Sequence, residues 1–529
     1  MAQPQSNVSL TAPGFAGINT QDSPLDMDHT FASVANNCVI DRFGRIASRR
    51  GFRFVTTNPQ VLSGNPIVSM EEFNTATGST WLFACGNDTI YIQQTVAPHE
   101  LVALTVPVGY VIANNNWKIV PFNDFCYFVQ AGHKPLVFDP ATPTELVYWA
   151  EYPAGMEVAS DWPNTAHAAF GRLWLGALDT DATVVLWSGL LNGQDWSGSG
   201  WGSLQTEEYW PSGYDDVTTI AAHNNFICFF GKRNILVYTT NSDVVNSLRL
   251  QDTIEGLGCI ARDSIVGTGT DILFIDATGL RSLNRTIQEK SVPIGDVSMN
   301  VRVDFQNALR AELTDNIKSV FHVEDNFYAC FLPTAMQSYV FDMWNPLPTG
   351  AARCTTWSEL QPLCGSRTLD RQTYFGAAGG VYQYEGAQDV ILDPADNVTE
   401  VTTSIPMSYY THPLDFGSPA NLIFPKQVDV TLFGGLEGVL GIEWAYDYSE
   451  NFSRKEQDLV KLGAVTYWNE GGEWNTADEW TATAVNLNWL KYNIWGSGRN
   501  VKVGFTTDIL GTPVSIQELN IQVLQGRLL

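Results

Sequence analysis

Trp81-Leu-Phe-Ala-Cys85, Gly86-Asn-Asp88 and Thr89-Ile-Tyr-Ile-Gln93 read as a strand, a tight turn and a returning strand in one short run. The flanks are aromatic and β-branched, side chains that pack well on a pleated surface. The turn uses Gly, Asn and Asp, residues that tolerate the positive φ of primed hairpin turns. The same unit recurs along the chain. Lys118-Ile-Val-Pro-Phe122 and Phe125-Cys-Tyr-Phe-Val129 flank Asn123-Asp124, with Leu136-Val-Phe138 following. Phe170-Gly171 precedes Arg172-Leu-Trp-Leu175, and Asn224-Asn225 precedes Phe226-Ile-Cys-Phe-Phe230. Thr270-Asp271 leads into Ile272-Leu-Phe-Ile275, Asp325-Asn326 into Phe327-Tyr-Ala-Cys-Phe331, and Gly379-Gly380 into Val381-Tyr-Gln-Tyr384. A third strand follows most copies: Val184-Val-Leu-Trp187, Ile235-Leu-Val-Tyr238, Gly279-Leu-Arg-Ser-Leu283 and Ser338-Tyr-Val-Phe341.

The copies recur every roughly 36 to 55 residues, close to the period of propeller blades. The pattern predicts an all-β chain, a β-propeller of irregular three- or four-stranded blades. An all-β array of sandwiches is the alternative packing of the same hairpins. Residues 1–60 read as an N-terminal arm with the first strands, and 61–395 as the propeller. From Gly386 to Thr403 the chain turns loop-like, rich in Asp, Gly and Pro. Beyond it Ile405–Tyr410, Gln427–Leu432, Val439–Trp444, Val501–Phe505 and Val514–Val523 read as strands. Val514, Ile516, Leu519, Ile521 and Val523 fall on one face of the last, and 396–529 is expected to form a C-terminal β-sandwich-like domain. Helical spacing is sparse: Gln306–Leu313 predicts one short helix and Met27–Asn36 a second.

Composition narrows the function. Of 529 residues, 44% are hydrophobic and 16% charged, so a large core can be buried. The net charge of −27, from 29 basic and 56 acidic residues, argues against gripping nucleic acid, which takes a basic excess to neutralise phosphates. The 8 cysteines lie in apolar runs without a CxxC pair, as small buried hydrophobes do. Met1 to Pro13 is polar, without the basic and apolar regions of a signal peptide, and no run is long enough to span a membrane. Synthesis and assembly in a cytoplasm are expected.

The chain contains no GxSxG elbow, HExxH helix, P-loop or GxGxxG opening a helix. Its 7 histidines stand apart; His99-Glu100 lacks a second His one helical turn on. Propellers can host glycosidases built on two carboxylates, but the Ser-x-Asp-x-Gly-x-Thr-Trp turn repeat is missing. Asp179-Thr-Asp181 and Asp215-Asp216 lack a surrounding calcium loop and read as solvated turn carboxylates. Trp468, Trp474, Trp480, Trp489 and Trp495 suit a β core or a subunit interface better than a sugar platform. Arg42, Arg45, Arg49, Arg50 and Arg53 form the one basic concentration, expected to pair with acidic loops of a neighbouring subunit rather than with DNA. No catalytic, cofactor-binding or metal-ligating residue is expected.

The order of several segments resembles the tail nozzle proteins of short-tailed bacteriophages, also called tail tubular protein B or packaged-DNA stabilisation proteins. These segments are Phe15-Ala-Gly-Ile-Asn19, Ala35-Asn36-Asn37 and Gly44-Arg-Ile-Ala-Ser-Arg-Arg-Gly51. Next come Gly171-Arg-Leu-Trp-Leu-Gly176, Leu186-Trp-Ser188 and Gly193-Gln-Asp-Trp196, then Ile227-Cys-Phe-Phe-Gly231 with Ile235-Leu-Val-Tyr238. Glu255-Gly-Leu-Gly-Cys259, Ile272-Leu-Phe-Ile-Asp-Ala-Thr-Gly279 and a tail at Gly526-Arg527 complete the series. Each motif alone is degenerate, their order carries the likeness, and 396–529 departs most from the family pattern. The resemblance implies a virion structural protein at the tail tip: a homo-hexamer below the tail adaptor protein, carrying tail fibres or spikes. Its ring would close the channel and pass double-stranded DNA at infection without sequence-specific binding. A propeller that binds receptors or docks fibres is the alternative, and a carbohydrate-active propeller enzyme is the third class.

Overall fold

The computed structural model describes residues 5–526 apart from 25, 94–98, 150–151, 154, 199, 212, 242, 290–295, 394, 397, 418–419, 435–437 and 460–486. Four antiparallel four-stranded sheets follow one another from Ser69 to Glu255, each built from consecutive strands. The fifth sheet, Val266–Gly267, Ile272–Asp276 and Gly279–Ser282, has three strands, and the helix Leu283–Glu289 follows it directly. Lys318–His322, Phe327–Leu332, Gln337–Asp342 and Arg353–Trp357 make the sixth blade, and Cys364–Arg367, Thr373–Ala377 and Gly380–Tyr384 begin the seventh. The first strand of the seventh, Cys364–Arg367, packs against the first strand of the first, Ser69–Asn74, so the sheets close into a ring. This is a seven-bladed β-propeller.

Apolar side chains fill the wedges between neighbouring blades. Phe83, Phe128 and Phe138 join the first two, Trp174 and Phe229 the third and fourth, and Phe230 and Phe274 the fourth and fifth. All eight cysteines are free and buried, and burial pushes the thiols of Cys85, Cys126 and Cys228 up. The hairpin turns have the predicted backbone: Asn87, Asp88, Asn123 and Asp124 all lie at φ between 49° and 61°. The phase of the repeat differs from the sequence reading at its two ends. The turns at Asn87-Asp88 and Gly379-Gly380 join second to third strands, whereas the five between them join first to second. In the first and seventh blades the first connection is a longer polar loop, Thr75–Ser79 and Thr368–Gln372, without the turn signature.

The N-terminal segment is not a separate arm. Phe52–Phe54 pairs with Gly380–Tyr384 as the outer strand of the seventh blade, so the beginning of the chain completes the last blade. Gly51 makes this close approach possible, because a Cβ there would collide with the carbonyl of Gln388. Arg49 and Asp389 lock the junction. Two guanidinium N–H groups reach the two carboxylate oxygens at 2.8 and 2.7 Å, and Oδ1 also accepts the Phe52 N–H at 2.9 Å. Both side chains are almost wholly buried. The expected boundary at 395/396 falls inside a hairpin, Asp389–Leu392 paired with Glu400–Thr403, that extends the seventh blade beyond Phe52–Phe54.

The remaining strands form a two-sheet sandwich. One sheet holds Val514–Gln525, Ile423–Gly434 and Leu487–Asn493 together with the N-terminal strands Gln5–Thr11, Cys38–Ile40 and Ile46–Ser48. The other holds Ile405–Thr411, Val501–Ile509, Val439–Tyr446 and Ser453–Asp458. Ala32–Asn36 joins the second sheet to the outer strand of the sixth blade, by antiparallel pairing with Ile405–Thr411 and a parallel contact of Asn36 with Thr356. This strand overturns the helix predicted over Met27–Asn36; β-branched Val34 and the small residues around it suit an extended bridge. The helix expected at Gln306–Leu313 runs from Arg302 to Ala311. The last strand gains its apolar face through a bulge. The spacing from Ile516 to Leu519 breaks strict alternation, and an extra residue between Ile516 and Glu518 returns Leu519, Ile521 and Val523 to the buried side.

Removing one partner of a buried ion pair strands the other charge and costs about 3–5 kcal/mol, whereas replacing both with apolar residues costs far less. Arg49→Met and Asp389→Leu are each expected to lower the urea midpoint substantially, and the double variant to recover most of that loss. Additive losses in the double variant would show that the pair does not act as a unit.

Candidate functional site

The first strands of the blades bring an unusual concentration of charge to the propeller axis. Arg262, on the turn before the fifth blade, donates to the backbone carbonyl and side-chain oxygen of both Asn116 and Asn164, at 2.8–3.0 Å. It also binds Asp263 at 2.6 Å. Lys318, which opens the first strand of the sixth blade, donates to Val68 O, Ser69 Oγ and Asn116 Oδ1 at 2.8, 3.1 and 2.6 Å. Lys118 opens the first strand of the second blade and reaches Asp263 at 3.3 Å. These bonds tie the first, second, third, fifth and sixth blades together across the axis. Burial disfavours the Asp263 carboxylate, but the charges of Arg262, Lys118 and Lys318 prevail and hold its pKa well below the usual range.

Above this network lies a cavity of about 290 Å³, lined by residues of the first, second, fifth, sixth and seventh blades. Glu71 faces it, and burial pushes its pKa up to about 7, with Lys118 opposing the shift. In the sequence Lys118 stands out only as the start of a strand, and Glu71, Arg262, Asp263 and Lys318 carry no motif. Lys118 and Lys318 occupy the same place in the repeat, the first residue of a first strand, and superposing the copies on that strand would have paired them.

The residues singled out from sequence are put to local use. Arg45 pairs with Asp41 at 2.6 Å, Arg50 with Glu324 at 2.7 Å and Arg53 with Glu385 at 3.5 Å. Together with Arg49–Asp389, four of the five arginines are therefore paired within the chain, contrary to the expectation that the cluster awaits a neighbour's acidic loops. Arg42 lies over the Phe43 ring. Asp181 accepts from the Thr183 N–H and hydroxyl, and Asp179 from the Gly132 N–H. Asp215 accepts the N–H groups of Lys232, Arg233 and Asn234, and Asp216 pairs with Lys232. Asp181 is the local turn acceptor expected, whereas Asp215, 5% exposed and bonded to N–H groups 17 to 19 residues away, is buried rather than solvated. Among the described residues no three or more His, Cys, Asp or Glu side chains are grouped to hold a metal ion. His99 lines a separate small pocket beside Glu72 and Asp370.

Trp468, Trp474 and Trp480 lie outside the described residues. Trp489 and Trp495 are each 63% exposed, which overturns a core role for both. Trp489 pairs with Thr431 and Leu487 with Phe433, so Trp489 and Leu487 share the outer face of the sandwich with Phe433. The Arg45 guanidinium lies over the rings of Phe433 and Phe43, at 4.9 and 4.7 Å. No helix among the described residues is long and apolar enough to cross a membrane.

No family model and no curated protein matches the chain. Several solved structures are similar at low identity. The WD40 β-propeller domain of Doa1 is 8% identical, with a TM-score of 0.38 over 63% of this chain and 96% of that one. The WD40 domain of Neurospora crassa Pan2 is 9% identical, with a TM-score of 0.38 over 64% and 95%. Streptogramin B lyase is 11% identical, with a TM-score of 0.34 over 60% and 93%.

Because Glu71 keeps its proton in the fold after it has lost it in the unfolded chain, it destabilises the fold progressively as pH rises from the usual carboxylate range to about 7. Glu71→Gln is expected to raise the melting temperature more at about pH 7.5 than at about pH 5. An equal effect at both pH values would mean that Glu71 titrates normally.

Proposed function

We propose that this chain is a virion structural protein, a subunit of the tail nozzle of a short-tailed bacteriophage, which assembles with copies of itself into a hexameric ring. The reading is carried by the order of the resembling segments over most of the chain, with 396–529 departing most from the family pattern. In the fold these segments lie at joints: Ile18 bonds to Cys354 of the sixth blade, and Gly171 opens the second strand of the third blade. Gly193 accepts the indole N–H groups of both Trp149 and Trp196. Residues at joints specify a framework rather than a reaction.

Two further observations support a conduit built from several copies. The propeller axis is crossed by the Arg262–Asp263–Lys318 network and leaves about 290 Å³, far too little for a duplex whose major groove alone is ~12 Å wide. A passage for DNA therefore has to run between subunits. The net charge of −27 suits such a passage, because a wall that repels phosphates adds no salt-dependent friction to a moving genome. In this reading the protein is not an enzyme; it works at the tail tip, meets the adaptor protein on one side, and carries fibres or spikes.

The exposed Trp489, Leu487 and Phe43 favour a second reading, a propeller that binds receptors or docks fibres through its sandwich. Native mass measurement on the purified chain separates the two. The nozzle reading predicts a ring of six, alone or on addition of the adaptor protein. A monomer or trimer that binds host glycan, with affinity lost in Trp489→Ala, would replace it with the second.

A further inference from the structure

We propose that the axial cavity of the propeller is a binding site for a small dianion of the phosphate or dicarboxylate type. The axis gathers Lys118, Arg262, Lys318 and Arg367 against Asp263 and Glu71, a net of +2 in a chain of net −27. Two of these four cations are already engaged: Arg262 and Lys318 bind backbone and side-chain oxygens of the neighbouring blades. The groups left over face the cavity. Lys118 makes a single ion pair, at 3.3 Å, and Arg367 lines the opening with no ion pair among the described residues.

Ser69, Trp117 and Ser366 line the cavity beside these charged groups. The cations left over, Lys118 inside and Arg367 at the mouth, are the complement of an oxyanion. The cavity volume of about 290 Å³ lies at the lower limit of small-ligand pockets, ~300–1,000 Å³. It admits a compact anion and excludes a nucleic-acid strand. Glu71 sets the opposing charge: ionised, it repels the ligand, and protonated, it adds a donor. The site is a property of the single propeller and does not depend on the nozzle reading or on ring assembly.

Calorimetric titration of the full-length protein with inorganic phosphate, and in parallel with succinate, tests the proposal. Saturable binding of one or both is expected, with a Kd of about 1 mM or tighter. Arg367→Gln, at the exposed mouth, is expected to weaken it about tenfold, one charge-assisted contact. Glu71→Gln is expected to tighten binding several-fold at about pH 8, by removing the repelling charge. Opposite signs from two substitutions on the same cavity are not produced by a loss of folding. Failure of both anions to bind saturably, or binding that neither substitution alters in the stated direction, would overturn the site. A phosphate-only or succinate-only response that follows both substitutions identifies which oxyanion the cavity takes.

Discussion

The carboxylate of Asp389, buried against the Arg49 guanidinium and the Phe52 N–H, fixes where the chain begins and ends its ring. Without the N-terminal segment the seventh blade would lack the strand that pairs with Gly380–Tyr384. Here Phe52–Phe54 fills that place, and Asp389–Leu392 then pairs alongside it. The residues before Phe52 are committed elsewhere: Gln5–Thr11 and Ile46–Ser48 pair with Val514–Gln525, and Ala32–Asn36 links the sandwich to the sixth blade. One N-terminal segment thus stitches the last blade, the sixth blade and both sheets of the sandwich. The apolar core follows the same continuity, since Leu273, Phe321 and Tyr328 of the propeller belong to one cluster with Val430, Trp444 and Phe505 of the sandwich.

The hairpins were legible in the sequence because primed turns accept few residue types, and Asn-Asp, Asn-Asn or Gly-Gly between apolar runs leaves little else for the chain to do. Blade phase was less legible. Where the first connection is a longer polar loop, the strongest signature marks the second turn instead, and the repeat starts one strand late. The role of Phe52–Phe54 was hidden for a different reason: three residues carry no measurable period, and their partner lies over 300 residues away. In the last strand, Val514 and Ile516 share a face with Leu519, Ile521 and Val523 only because of the bulge. The arginine cluster was misread because sequence proximity says nothing about direction; Arg49 points inward to Asp389, while Arg50 points to Glu324 and Asp325.

Charge has two scales in this molecule. Overall the chain is strongly acidic, which resists association with phosphate-bearing polymers at long range. At the axis Arg262 and Lys318 are drawn together, both desolvated and both answered by carbonyl or carboxylate oxygens. That network closes the centre of the propeller and adds polar ties to blades already packed together through their apolar wedges. The same feature leaves the propeller axis a cavity of about 290 Å³.

A density map of the assembled oligomer, taken from purified particles, tests that claim most directly. The account predicts a central opening bounded by several copies of the chain, with each propeller axis closed around Arg262 and Asp263 and Phe52–Phe54 seated in its own seventh blade. A single copy surrounding the opening, or an opening that runs through the propeller axis itself, would contradict it.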